Sequence, residues 1–190
     1  MRHDTEELRK GGLDVLDRAE RRVLDEYDAT TLVGLRTIVT KAAIEHRNGD
    51  EVSIELPRLP QLMAAASVFR CLMAPKLRGH EIKAMRRVMD LTLAEMAARM
   101  GGRTAPQTVC RWETEAQPMG AYAEKVFRLV VCEALTNDAP GVEYHAAMLA
   151  DLAITDRWDA HEDPVIQLCY MPMKQGSGVI TDAYNAKRAA

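Results

Sequence analysis

No apolar run in the chain is long enough to span a membrane, and its first residues, Met-Arg-His-Asp-Thr-Glu-Glu, lack the apolar stretch of a secretory signal. Both absences point to the cytoplasm. Cysteine is sparse: Cys71, Cys110, Cys132 and Cys169 are widely spaced, with no C-x-x-C pair and no paired histidines nearby. That pattern reads as reduced structural thiols rather than a metal site or a disulfide framework. There is no phosphate loop and no dinucleotide fingerprint. Ser177 stands in Gly-Ser-Gly without the flanks of a nucleophile elbow, so it reads as a flexible loop. His145 and His161 lie among Glu143, Asp151, Asp159, Glu162 and Asp163, and read as part of a solvated acidic surface rather than as metal ligands. These absences leave no catalytic residue, metal or cofactor to expect, and argue against an enzyme.

An overall basic excess is also missing: 25 Lys+Arg face 28 Asp+Glu, for a net charge of -3. The distribution is less neutral than the total. Residues 76–128 carry 10 basic and 6 acidic side chains, whereas residues 1–75 carry 11 and 13, and residues 129–190 carry 4 and 9. A basic middle therefore lies between two acidic flanks. A phosphate-contacting surface needs that local sign rather than a basic whole chain. Hydrophobic content of 47% and charged content of 28% are those of a globular protein, and 190 residues suffice for one sizeable core.

The basic middle holds the most specific pattern. Thr92 to Met100 reads as a helix with Leu93, Met96, Ala97 and Met100 on one face. Gly101 and Gly102 supply the positive φ that ends it. A second helix follows at 105–113, with Thr104 as its cap and Pro106 in its first turn, where no amide hydrogen is missed. Val109 and Trp112 point to the core and Gln107, Thr108 and Arg111 point away from it. An amide, a hydroxyl and a guanidinium on one helix face suit base edges in the major groove. Ahead of this pair, Leu77 to Asp90 reads as an amphipathic helix with Ile82, Met85, Val88 and Met89 inward and Lys83, Arg86 and Arg87 outward.

The run Met-Arg-Arg-Val-Met-Asp-Leu-Thr, then Leu-Ala-Glu-Met-Ala, then Gln-Thr-Val-Cys-Arg-Trp-Glu resembles the Cro/cI-type helix-turn-helix family. Cys110 replaces the small polar residue usual there, the turn is one or two residues longer, and Pro106 takes a place often held by a polar or basic contact residue. The resemblance implies a lambda-repressor-like unit of five helices. The order of hairpin, helix and helix-turn-helix also resembles a bacterial family of antitoxin-like regulators with a small β region before such a domain. Some of its members carry two C-x-x-C zinc pairs in that region; this chain has none, so no zinc site is carried over. The combined resemblance covers residues 27–135.

Elsewhere, Asp4 and Glu7 form a capping box for an N-terminal helix interrupted at Gly11-Gly12, and Leu13 to Tyr27 continues helically. Residues 37–56 read as a small antiparallel sheet with a hairpin at Asn48-Gly49. Leu62 to Leu72 is an apolar helix. Ala121 to Leu135 is a strong helix whose Tyr122, Val126, Leu129 and Val130 would close the core. Val142 to Ile154 is a further short helix and Val165 to Tyr170 a strand.

The fold expected is mainly α with a small antiparallel β region. Its parts are an N-terminal helix and hairpin region over 1–59, a helix-turn-helix domain over 60–135, and an acidic C-terminal extension over 136–190, with the N-terminal helix and the region after Pro140 as the two candidate dimer surfaces. The function expected is duplex DNA binding as a homodimer on an inverted repeat, repressing its own operon. Gln107, Thr108 and Arg111 would read bases; Lys83, Arg86, Arg99, Arg103 and Thr104 would contact phosphates. The alternative is an antitoxin whose acidic C-terminal region blocks a basic toxin.

Overall fold

The structure is a computed structural model that describes residues 20–156, 163–174 and 180–186. The expected capping box at Asp4 and Glu7, the Gly11-Gly12 break, Ser177 and His161 lie outside the described residues. The elements run β1 (Glu20–Val23), β2 (Glu26–Asp28), α1 (Thr30–Val33), β3 (Thr37–Thr40), β4 (Ile44–Asn48), β5 (Glu51–Glu55), α2 (Leu59–Cys71), α3 (Gly79–Val88), α4 (Leu93–Arg99), α5 (Pro106–Glu113), α6 (Ala121–Leu135), a 3-10 turn (Thr136–Asp138), α7 (Ala146–Ala150), β6 (Ile166–Lys174) and β7 (Ile180–Ala186).

The fold is mixed α/β, and this corrects the expectation of a mainly α chain built on a five-helix lambda-repressor-like domain. Seven strands form two sheets among the described residues. One is antiparallel, in the order β1-β4-β5. The other has the order β2-β3-β6-β7, with β3 and β6 parallel and the remaining pairs antiparallel. The parallel pair sets Val39 beside Leu168, across most of the chain's length. Such non-local pairing leaves no local signal in a sequence, because the hydrogen-bonding partner of each strand is set by the tertiary fold.

The helix expected from Leu13 to Tyr27 is likewise corrected: its described part forms β1 and β2. The first sheet has no buried residue in β4 or β5, and Arg21, Arg22 and Val23 of β1 are exposed. Without a buried face the period of two that marks a strand is not enforced, and a charged, irregular pattern reads as an amphipathic helix. The hairpin at Asn48-Gly49 is present, with Asn48 paired to Glu51 and Gly49 at φ +61. The helix expected over 142–154 is cut to α7, and β7 carries no signal that was read.

One core joins helices and the mixed sheet. Val33, Leu35 and Val39 lie in it with Leu62, Val68, Ile82, Met85, Phe127, Val131, Ile166, Leu168 and Tyr184. At its centre is α2, packed against α3, α6, β6 and β7. Ala64, Ala65, Ala66 and Ser67 are buried around its circumference, and these small side chains let neighbours approach from every side.

The path from α2 to α3 is held by buried charge. Arg70 pairs with Glu81, with Nε 2.5 Å from Oε1, and donates to the carbonyls of Pro75 and Lys76. Arg128 on α6 pairs with Glu124 at 2.7 Å and donates to the carbonyls of Cys71, Met73 and Pro75. Glu124 Oε1 also accepts the Leu77 amide. All four side chains are within 1% of complete burial. The face of α6 that meets the core is therefore Glu124, Phe127, Arg128, Val131, Cys132 and Leu135. This corrects the expected inward stripe: Tyr122 is 84% exposed and Leu129 38%. A Glu and an Arg four apart on a helix ordinarily signal a solvated face; here the bare carbonyls of the loop drew that pair inward.

Candidate nucleic-acid interface

The two helices expected at 92–100 and 105–113 are present as α4 and α5. Thr92 caps α4: its hydroxyl accepts the Glu95 amide at 3.2 Å, while the Glu95 carboxylate takes the Thr92 amide at 2.8 Å. These bonds hold the Glu95 carboxyl below the usual carboxylate value. Gly101 alone of the glycine pair has positive φ, +94, and supplies the turn. Thr104 does not cap α5. Ala105 holds that position with no side-chain bond, and Thr104 is half-buried in the turn, its amide on the Gly101 carbonyl. Pro106 starts α5 without losing an amide bond, which reduces the need for a cap.

Val109 and Trp112 bury the inner side of α5. On the other side Gln107 and Arg111 are exposed and Thr108 is half-buried. Among the described residues Arg111 forms no ion pair. Glu113 is engaged by Arg86, and Glu115 accepts the Gly79 amide at 2.8 Å, so neither competes for it. Lys83, Arg99 and Arg103 are exposed cations on α3, on α4 and in the turn.

Arg86 departs from its expected role. It is turned in, 12% exposed, with Nε 2.5 Å from Glu113 Oε1 and Nη1 on the Leu91 carbonyl. The Glu113 carboxylate raises its pKa above the ordinary arginine value. This side chain fastens the end of α5 to α3 and to the α3–α4 turn, and is not free for a phosphate. Gly79 allows the same closure: a Cβ there would lie 2.8 Å from the Trp112 carbonyl and 2.5 Å from that of Glu113.

The acidic C-terminal region touches this unit at its margin. Asp163 lies 2.8 Å from Arg78 Nε and 3.2 Å from His80 Nε2, and Asp156 3.2 Å from Lys76 Nζ. These carboxylates are partnered within the chain, and no sequence pattern announced them. His145 is exposed, 3.6 Å from Glu143. Cys71 and Cys132 are buried, Cys110 is exposed on α5, and all four cysteines are unbridged. A hydrogen bond with Cys71, and burial, push the Cys132 thiol well above its ordinary pKa, so it does not act as a thiolate. Among the described residues no group of three or more His, Cys, Asp or Glu is arranged to hold a metal ion. No helix of the described residues is long and apolar enough to cross a membrane.

Comparison with protein-family models, curated proteins and solved structures finds no match to this chain.

Proposed function

We propose that the chain binds duplex DNA through α5, as a homodimer on an inverted repeat, and represses transcription of its own operon. The observation that carries this reading is the outer face of α5. It holds Gln107 and Arg111 exposed beside Thr108, unspent on internal pairs among the described residues, while the inner face is locked by Val109, Trp112 and the Arg86–Glu113 bridge. A rigid helix presenting an amide and a guanidinium is suited to adenine and guanine edges. Lys83, Arg99 and Arg103 supply the phosphate contacts that set register without reading sequence. A single such helix buries too little surface for useful specificity; two, held about 34 Å apart by a dimer, read successive turns of the groove. Repression follows from occupancy of a promoter and needs no further chemistry.

The test is selection of binding sites from random duplex DNA with the purified chain, followed by a reporter fused to its own upstream region. An enriched inverted repeat in that region, with reporter output rising when the gene is deleted, is the expected result. No enrichment at low salt would sink the reading.

A further inference from the structure

We propose that Cys71, Cys132 and Met85 form a binding site for a soft monovalent metal ion of the Cu(I) class. The three sulfurs come from three helices, α2, α6 and α3, and all three side chains are completely buried. Cys71 Sγ stands 3.8 Å from Met85 Sδ. Cys132 Sγ lies 4.0 Å from the carbonyl of Val68, three residues before Cys71 on α2. Arg128, one turn before Cys132 on α6, donates to the Cys71 carbonyl at 2.8 Å. These contacts register α6 against α2 so that the Cys132 thiol meets that of Cys71, to which it hydrogen-bonds. Cys71 is thus the middle of a sulfur cluster, with a thioether on one side and a second thiol on the other.

The donor set selects the metal. Thiolate and thioether sulfur together favour Cu(I), whereas a structural zinc site takes four Cys or His ligands. Among the described residues no His, Asp or Glu joins the two cysteines in a group able to hold an ion. The spacing agrees with the chemistry. A metal ion at the ~2.3 Å of a metal–thiolate bond from three sulfurs holds them about 4 Å apart. Cys71 and Met85 already stand at 3.8 Å. Buried thiols keep their protons when no metal is bound, and a coordinated thiol gives its proton up. Binding therefore takes Cu(I) from solution, releases the two thiol protons to water and leaves a single negative charge on the cluster. The Arg128 guanidinium, on the Cys71 carbonyl, favours that charge.

The probe is Cu(I) itself, supplied to the full chain without oxygen and titrated against the chelator bicinchoninate. Wild type should retain a single Cu(I) per chain, in a sulfur-only environment by X-ray absorption. Cys132→Ala should lower the affinity by more than the about hundredfold that loss of an outer-shell partner reaches. Met85→Leu nearly conserves volume and should lower it by about tenfold with the fold intact. The double variant Cys110→Ser with Cys169→Ser should bind as wild type does, because neither thiol belongs to the cluster. If Cys132→Ala fails to fold, Met85→Leu and the wild-type absorption spectrum decide. Three results would overturn the site: surrender of all the Cu(I) to bicinchoninate, nitrogen or oxygen ligands in the spectrum, or wild-type affinity in a folded Cys132→Ala or Met85→Leu variant. Loss of binding in the Cys110→Ser, Cys169→Ser protein would overturn it too, by placing the metal on those thiols.

Discussion

Arg70 of α2 and Arg128 of α6, which hold the α2–α3 loop, and the exposed arginines of α4, α5 and the turn between them do opposite work. Arg70 and Arg128 are wholly buried, each against a carboxylate and a row of backbone carbonyls. Arg99, Arg103 and Arg111 stand in solvent. Arg86 sits between the two sets, on α3 beside α5 but turned inward. The difference teaches that a run's net charge does not give the charge it presents. In residues 76–128 Glu124, Glu113 and Glu81 are spent on Arg128, Arg86 and Arg70, and the exposed remainder includes Lys83, Arg87, Arg99, Arg103 and Arg111.

The sharpest break of that comparison is Arg128→Met. It leaves Glu124 buried without its counter-charge and the Cys71 and Met73 carbonyls without this donor, while Pro75 keeps its bond from Arg70, and should cost about 3–5 kcal/mol in urea unfolding. The double variant Arg128→Met with Glu124→Leu removes both charges. It should recover only part of that loss, because the carbonyls of Cys71 and Met73 still lack this donor and the Leu77 amide now loses its acceptor. Full recovery would show that the loop carbonyls do not need the guanidinium, and that the loss in Arg128→Met is the cost of the orphaned Glu124 alone.

Arg86→Ala comes next. Loss of the charged bonds to Glu113 and the Leu91 carbonyl should cost about 2 kcal/mol of stability. The salt dependence of DNA binding by the folded variant should match wild type. A shallower salt slope with unchanged stability would return Arg86 to the phosphates. Gly79→Ala should act at the same joint by overpacking against the Trp112 and Glu113 carbonyls, costing about 1–3 kcal/mol.

On the exposed side the order reverses: function is lost and stability kept. Arg111→Ala should cost about 1–3 kcal/mol of specific binding and relax preference at one base position, with the unfolding midpoint unmoved. Arg99→Ala should weaken all sequences alike and lower the salt slope by about 1. An Arg111→Ala protein with intact sequence preference would show that the register of α5 in the groove is wrong.

The smallest effect is a pH limb at α4. The Thr92 bonds depress the folded pKa of Glu95. Its contribution is therefore complete above the unfolded value of about 4.3 and is lost as pH falls through the lower folded value. Glu95→Gln should flatten that limb, read as faster amide exchange in the first turn of α4 at neutral pH and little further change in acid.

Much of α4 and α5 was legible because their signals are local. Gly101 supplies the turn, Pro106 starts α5, and Met96, Ala97, Val109 and Trp112 repeat at helical spacing. Thr104 was misassigned for the same reason: a capping residue stood nearby, but the longer turn moved the helix start to Ala105. The inward turn of Arg86 was hidden, since Glu113 lies far along the chain.

What the sequence by itself determined, then, is features whose partners sit within a helical turn or a hairpin loop: the glycine turn, the Asn48-Gly49 hairpin and the inner face of α5. Only the tertiary structure decided which strands pair and which charges are buried. The parallel β3–β6 pair joins segments from the two ends of the chain. The face of α6 is set by carbonyls of a loop some fifty residues earlier, which outbid Tyr122 and Leu129 for the interior. The physical reason is that hydrogen-bond demand from bare backbone is a property of packing, and composition along a helix does not reveal it.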